Sequence, residues 1–123
     1  MRWILVAGAV AGLLGVALGA FGAHALRGRF SPAELQVWQT AVQYHQWHAT
    51  ALMVLGTITL LRPDWEALGW VAGLMLAGLV LFSGSLYLLC LLGERWLGAV
   101  TPVGGGLWLV AWALAAWVFW RGP

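Results

Sequence analysis

The sequence runs to 123 residues, of which 63% are apolar and only 8% charged, a balance outside the range of water-soluble domains. Its formal charge of +2 comes from six arginines against four acids with no lysine, which excludes the basic stripe of a nucleic-acid-binding protein. The length suits one domain, and the lone cysteine, Cys90, sits in an apolar run as a small buried residue with no disulfide partner.

Charges divide the chain into four uncharged runs: Trp3 to Leu26, Leu35 to Leu61, Ala67 to Gly93 and Trp96 to Trp120. Each exceeds the roughly 20 residues that a helix needs to cross about 30 Å of hydrocarbon. The expected fold is all-α: a polytopic membrane protein, a four-helix transmembrane bundle forming a single domain over residues 1–123, with helices at about 3–26, 33–61, 66–93 and 101–120. The connectors, Arg27 to Glu34, Arg62 to Glu66 and Glu94-Arg95, are too short to fold alone, so the helices run up and down and both termini share a side.

The first run follows Arg2 as a signal peptide would, but it is longer than a signal core of roughly 7 to 15 residues and three more runs follow, so it is read as a retained helix. Its glycines, Gly8, Gly12, Gly15, Gly19 and Gly22, alternate steps of four and three and form one stripe. In a membrane such a stripe lets another helix approach closely; packing within the chain is the simpler use, a homodimer seam the other. Gly69 and Gly73 on the third helix offer a candidate partner surface.

The second helix is polar on two sides. At 100° per residue, Gln36, Gln39, Gln43, Gln46, Thr50 and Thr57 fall within an arc of about 80°, while Glu34, His45 and His48 lie roughly opposite. A lipid-facing amide loses its hydrogen bonds, so two faces of this helix are expected to meet protein, water or a partner. Interhelical hydrogen bonds that fix register are the simpler account. His45 and His48, at i and i+3, could instead hold a metal or haem, with His24 as a third ligand. Depth opposes that triad. Counted from the middle of the first connector, His24 is about 5 to 6 residues into its helix and His45 about 15 to 16 into the next, roughly 15 Å apart.

On the third helix, Ser83, Tyr87 and Cys90 share a face. The same counting puts His24, Glu34, Gln36, Tyr87 and Thr101 in one polar layer near the first and third connectors. Thr101-Pro102 has the form of an N-cap followed by proline at the first helical position, which would start the fourth helix there and aim its free N–H groups at that layer. Gly104, Gly105 and Gly106 would allow close backbone approach. The candidate polar site is therefore His24, Glu34, Gln36, His45, His48, Ser83, Tyr87 and Thr101. A hydrogen-bond network that seals the bundle is the simpler use of the same groups.

Ten tryptophans are many for this length. Trp3, Trp65, Trp96, Trp117 and Trp120 fall near predicted membrane boundaries, where an amphipathic ring is favoured. Trp108 and Trp112, one turn apart, are read as packing or lipid-facing groups rather than a cofactor cage. Orientation is weakly encoded, because Arg2, Arg62 and Arg121 on one side balance Arg27, Arg29 and Arg95 on the other. Both termini are expected in the cytoplasm.

Gly19-Ala20-Phe21-Gly22-Ala23-His24, Tyr44-His45-x-x-His48, Leu81-Phe82-Ser83-Gly84-Ser85-Leu86-Tyr87 and Thr101-Pro102-Val103-Gly104-Gly105 occur in this order. Together they resemble the domain-of-unknown-function 423 family, the YgdD-like small membrane proteins of bacteria related to eukaryotic transmembrane protein 256. The resemblance covers nearly the whole chain and implies a four-helix protein of the bacterial inner membrane. It carries over no catalytic residue and no cofactor. His24, His48, Ser83, Tyr87, Thr101 and Pro102 match its motifs, whereas members without a histidine at the position of His45 speak against a fixed ligand pair.

The leading expectation is a non-enzymatic structural or accessory membrane component, alone with the lipid bilayer or within a homo-oligomer or larger complex, with no nucleic-acid partner. An oligomeric transporter or channel for a small solute or ion is the first alternative, although its only deep-helix carboxylate candidate, Glu34, sits near a helix end. A metal- or haem-binding protein using His45 and His48 is the second.

Overall fold

A computed structural model describes all 123 residues. It contains four helices and no strand: α1 (Arg2–His24), α2 (Pro32–Leu61), α3 (Ala67–Leu92) and α4 (Leu97–Arg121). α1, α3 and α4 are each long and apolar enough to cross a membrane. α2 is the longest at 30 residues, and its glutamines, histidines and threonines keep it below the same apolarity. It nevertheless runs antiparallel beside α1 for nearly all of that helix, so where α1 crosses, α2 crosses with it.

The first connector is set by local chemistry. α1 stops at His24, two residues short of expectation, because Leu26 turns inward to pack with Trp38 and Tyr87 and the chain loops back, with the Arg29 and Phe30 N–H groups both donating to the Leu26 carbonyl. α2 then starts on a capping box. Ser31 Oγ accepts from the Glu34 N–H at 3.2 Å and donates to Glu34 Oε1 at 3.0 Å, with Pro32 at the first helical position. α3 ends at Gly93, whose φ of +71° places it in the left-handed region that closes a helix without a Cβ clash. In the second connector Arg62 grips Asp64 with Nε and Nη2 at 3.1 and 2.8 Å. The hydrogen bond from Arg62 holds the exposed Asp64 carboxyl below its ordinary value.

The expected start of helix four at Thr101-Pro102 is wrong. α4 begins at Leu97, and its first N–H groups, on Leu97, Gly98 and Ala99, are taken by the carbonyls of Glu94, Arg95 and Trp96. Thr101 is a helical residue and Pro102 lies inside the helix, on its exposed side. A tight turn directly after the connector satisfies the helix end, so no free helix N-terminus faces the interior.

α1 packs on α2, α2 on α3 and α3 on α4, while the α1 and α4 backbones do not meet. The glycine stripe of α1 faces α2 rather than Gly69 and Gly73 of α3. A Cβ on Gly8 would stand 3.0 Å from Met53, on Gly15 2.6 Å from Gln46, on Gly19 3.3 Å from Val42 and on Gly22 2.5 Å from the Trp38 indole. The partners descend α2 as the glycines climb α1, which is an antiparallel seam held by close approach. Gly69 touches only Met1, and Gly73 has open space. A second seam joins α3 to α4, where Gly78 makes room for Trp108 and Gly104 lies against the Phe82 backbone.

The two polar arcs of α2 separate with two exceptions: Gln46 is half-buried against Gly12 and Gly15 of α1, and Glu34, on the histidine side, is exposed. His45 and His48 point inward and are buried, whereas Gln36, Gln39, Gln43, Thr50 and Thr57 lie on the exposed face. Trp3, Trp96, Trp117 and Trp120 are exposed at helix ends, with Arg121 5.3 Å above the Trp117 ring, as interfacial anchors require.

Candidate functional site

The inward face of α2 carries the polar centre. His45 Nε2 lies 2.7 Å from the Ala11 carbonyl and its Nδ1 2.9 Å from the Tyr87 hydroxyl. A carbonyl only accepts, so Nε2 carries the proton and donates; Nδ1 is then the bare nitrogen that accepts from the Tyr87 O–H. One imidazole thereby ties α1, α2 and α3. Tyr87 also packs against Trp38, ring centroids 4.8 Å apart, and the Trp38 N–H donates to the Leu18 carbonyl at 2.9 Å. On the same face of α3, Ser83, fully buried, donates to the Ala41 carbonyl at 2.8 Å.

His48 holds the other side. Its Nδ1–H donates to the Tyr44 carbonyl one turn back at 2.8 Å, which leaves Nε2 to accept the Trp112 N–H at 3.0 Å. Its ring stacks flat on Trp108, 3.7 Å between centroids and 2° between planes, and the Trp108 N–H donates to the Met75 carbonyl at 3.0 Å. The two histidines are therefore locked in opposite neutral tautomers by different helices. A metal shared between them would have to displace hydrogen bonds from both rings, and no third His, Cys, Asp or Glu converges on either.

The expected polar layer comes apart into three places. His24 and Glu34 are exposed, the latter bonded to the Ser31 cap of its own helix, and Cys90 Sγ lies 3.6 Å from the Glu34 carbonyl rather than its carboxylate. Gln36 and Thr101 line an outer groove with Thr40 and Leu86. There Thr101 Oγ1 bonds Ser85 Oγ at 2.6 Å, joining α4 to α3. Tyr87 belongs to neither, because it is bonded to His45 deeper in the membrane. Helical side chains lean towards their own N-terminus. α3 ends on the side where α2 begins, so the phenol leans into the bilayer and the imidazole leans out to meet it, which counting along the chain does not register.

Tyr44, Trp108 and Trp112 are residues that the sequence reading did not place in the candidate site. With His48, Phe82 and Pro102 they line an aromatic groove of about 480 Å³ between α2 and α4. Counting depth from the third connector would have found the pairing, since Trp112 stands about as far along α4 as His48 does along α2, and Trp108 about as far as Tyr44.

The ties predict their own energetics. Tyr87→Phe should cost about 0.6 to 1.7 kcal/mol, the range for interhelical hydrogen bonds in membranes. His45→Phe should cost more, since it frees both the Tyr87 hydroxyl and the α1 contact, and the double variant should fall short of the sum. Detergent-titrated unfolding of the four proteins checks this; additive losses would mean that the bond contributes nothing.

Residues 18–105 match the family described as protein of unknown function (DUF423). The Bacillus subtilis (strain 168) UPF0382 membrane protein YwdK is 46% identical over 93% of each chain. The UPF0382 membrane protein SAB0533 of Staphylococcus aureus (strain bovine RF122 / ET3-1) is 39% identical over 93% of this chain and 92% of its own, and SH2409 of Staphylococcus haemolyticus (strain JCSC1435) is 40% identical over the same shares. No solved structure matches the chain. A family match that runs from the α1 glycines to the α3–α4 seam, and relatives named membrane proteins across nearly the full length, place this all-α membrane protein in the DUF423 family.

Proposed function

We propose that this chain is a non-enzymatic structural or accessory component of the bacterial inner membrane, with both termini in the cytoplasm. The observation that carries the reading is the state of the interior. His45, His48, Tyr87 and Ser83, the groups with chemistry to offer, each spend their hydrogen-bonding capacity on another helix or on the backbone. Such groups hold register; they are not poised to abstract a proton or attack a substrate. The connectors are short, so an outer helix face is the surface left for work. Of the four helices, only α2 turns carboxamides outward at membrane depth, and each left unbonded in hydrocarbon costs several kcal/mol.

Extraction from native membranes in a mild detergent, followed by mass measurement of the particle, tests this. The expected result is a particle larger than one chain. A lone chain under every mild condition would overturn the reading. Labelling of terminal tags from the outer side of intact cells, expected to fail at both ends, tests the orientation.

A further inference from the structure

We infer that the outward face of α2 pairs with the same face of a second copy of the chain, Gln39 and Gln43 of each copy bonding their counterparts across a two-fold axis. This rests on the accessory reading above and names its partner. Gln43 stands about 5 Å from the middle of α2 and Gln39 about 11 Å, counted at 1.5 Å per residue. Both side chains are on the exposed face, and neither carboxamide bonds any group of its own chain. Thr50 and Thr57, on the same face, are already bonded to the carbonyls of Gln46 and Met53 in their own helix, so the amides are the groups in need.

The choice of a second copy follows from symmetry. Copies inserted the same way are related by an axis along the membrane normal, so α2 lies parallel to α2 and each residue meets its own counterpart at equal depth. A self-meeting residue must both donate and accept. The carboxamide does so, forming a reciprocal N–H to carbonyl pair, whereas a carboxylate or an arginine would meet only its own charge. Beside the amides runs a groove of about 210 Å³, floored by Gly19, Gly22 and Ala23 of α1, where low walls admit the backbone of a neighbour.

The test uses the full chain with Cys90→Ala, since Cys90 is the one native thiol. Thr50→Cys and Val54→Cys place thiols on the α2 face and leave both amides intact; Leu13→Cys and Leu109→Cys, at 69% and 75% exposed positions on α1 and α4, report random collision. Oxidation in native membranes with an apolar copper complex should give an adduct of twice the chain mass from Thr50→Cys and Val54→Cys but not from the two controls. Adding Gln39→Leu with Gln43→Leu should lower that yield about tenfold. Equal yield at Leu109→Cys, or a yield indifferent to losing the amides, overturns the pairing. An adduct of any other mass, or none beside a particle larger than one chain, also overturns it and leaves the accessory reading standing. No adduct together with a lone-chain particle removes both.

Discussion

Gly104→Leu should yield little folded protein, because it prises apart the seam between α3 and α4. Any Cβ at position 104 would run into the backbone N–H of Phe82, with the Leu81 carbonyl carbon 2.9 Å away. Backbone cannot swing aside as a flexible side chain can, so relief requires α4 to move bodily away from α3. That movement would pull Trp108 out of the space above Gly78 and stretch the Ser85 to Thr101 hydrogen bond. Overpacking in a core costs about 1 to 3 kcal/mol where side chains can adjust; here the loss should exceed about 3 kcal/mol, with Gly104→Ala intermediate. Gly106, two residues on, has open space at its Cβ, and Gly106→Leu should be nearly neutral. Detergent-titrated unfolding followed by tryptophan fluorescence distinguishes the two. Equal stability of the pair would mean that the helices do not touch at Gly104.

Run lengths between charges were enough to read four helices from this sequence, since the bilayer imposes a minimum length and tolerates no charge along it. The glycine stripe was equally legible, but its partner was not. Small residues show where a backbone can come close, and nothing in their spacing says which helix does so. Trp38, Val42, Gln46 and Met53 supply the answer only once the antiparallel register is known. The opposition of the histidine and glutamine arcs on α2 followed from helical geometry alone, whereas which arc faces inward depended on what α3 and α4 offer to bond. Thr101-Pro102 misled because the same dipeptide suits a helix start and also a second turn, where the threonine serves Ser85 instead. Ser31 and Glu34, at capping-box spacing, were the overlooked start signal.

Trp108→Leu should cost about 3 to 5 kcal/mol, the range for truncating a large buried aromatic side chain, and should exceed any other single side-chain truncation on the inner faces of α2 and α4. Three contacts go at once. The flat stack on His48 is lost, the Met75 carbonyl loses its second donor, and the hollow over Gly78 empties. Leucine reaches none of these, and Gly78 has no side chain to collapse into the gap. Trp112→Phe removes the N–H to His48 Nε2 but keeps a six-membered aromatic ring at a half-exposed position, so it should cost less than about 1.7 kcal/mol. The contrast separates two roles for the pair, Trp108 as the wedge between α3 and α2 and Trp112 as the group that fixes the histidine's tautomer. Restoring bulk with Gly78→Ala in the Trp108→Leu background should recover part of the stability, although in the native chain the same Gly78→Ala must collide with the indole. A Gly78→Ala change that destabilises the native chain and stabilises the leucine variant is the sign reversal expected of two positions that fill one space.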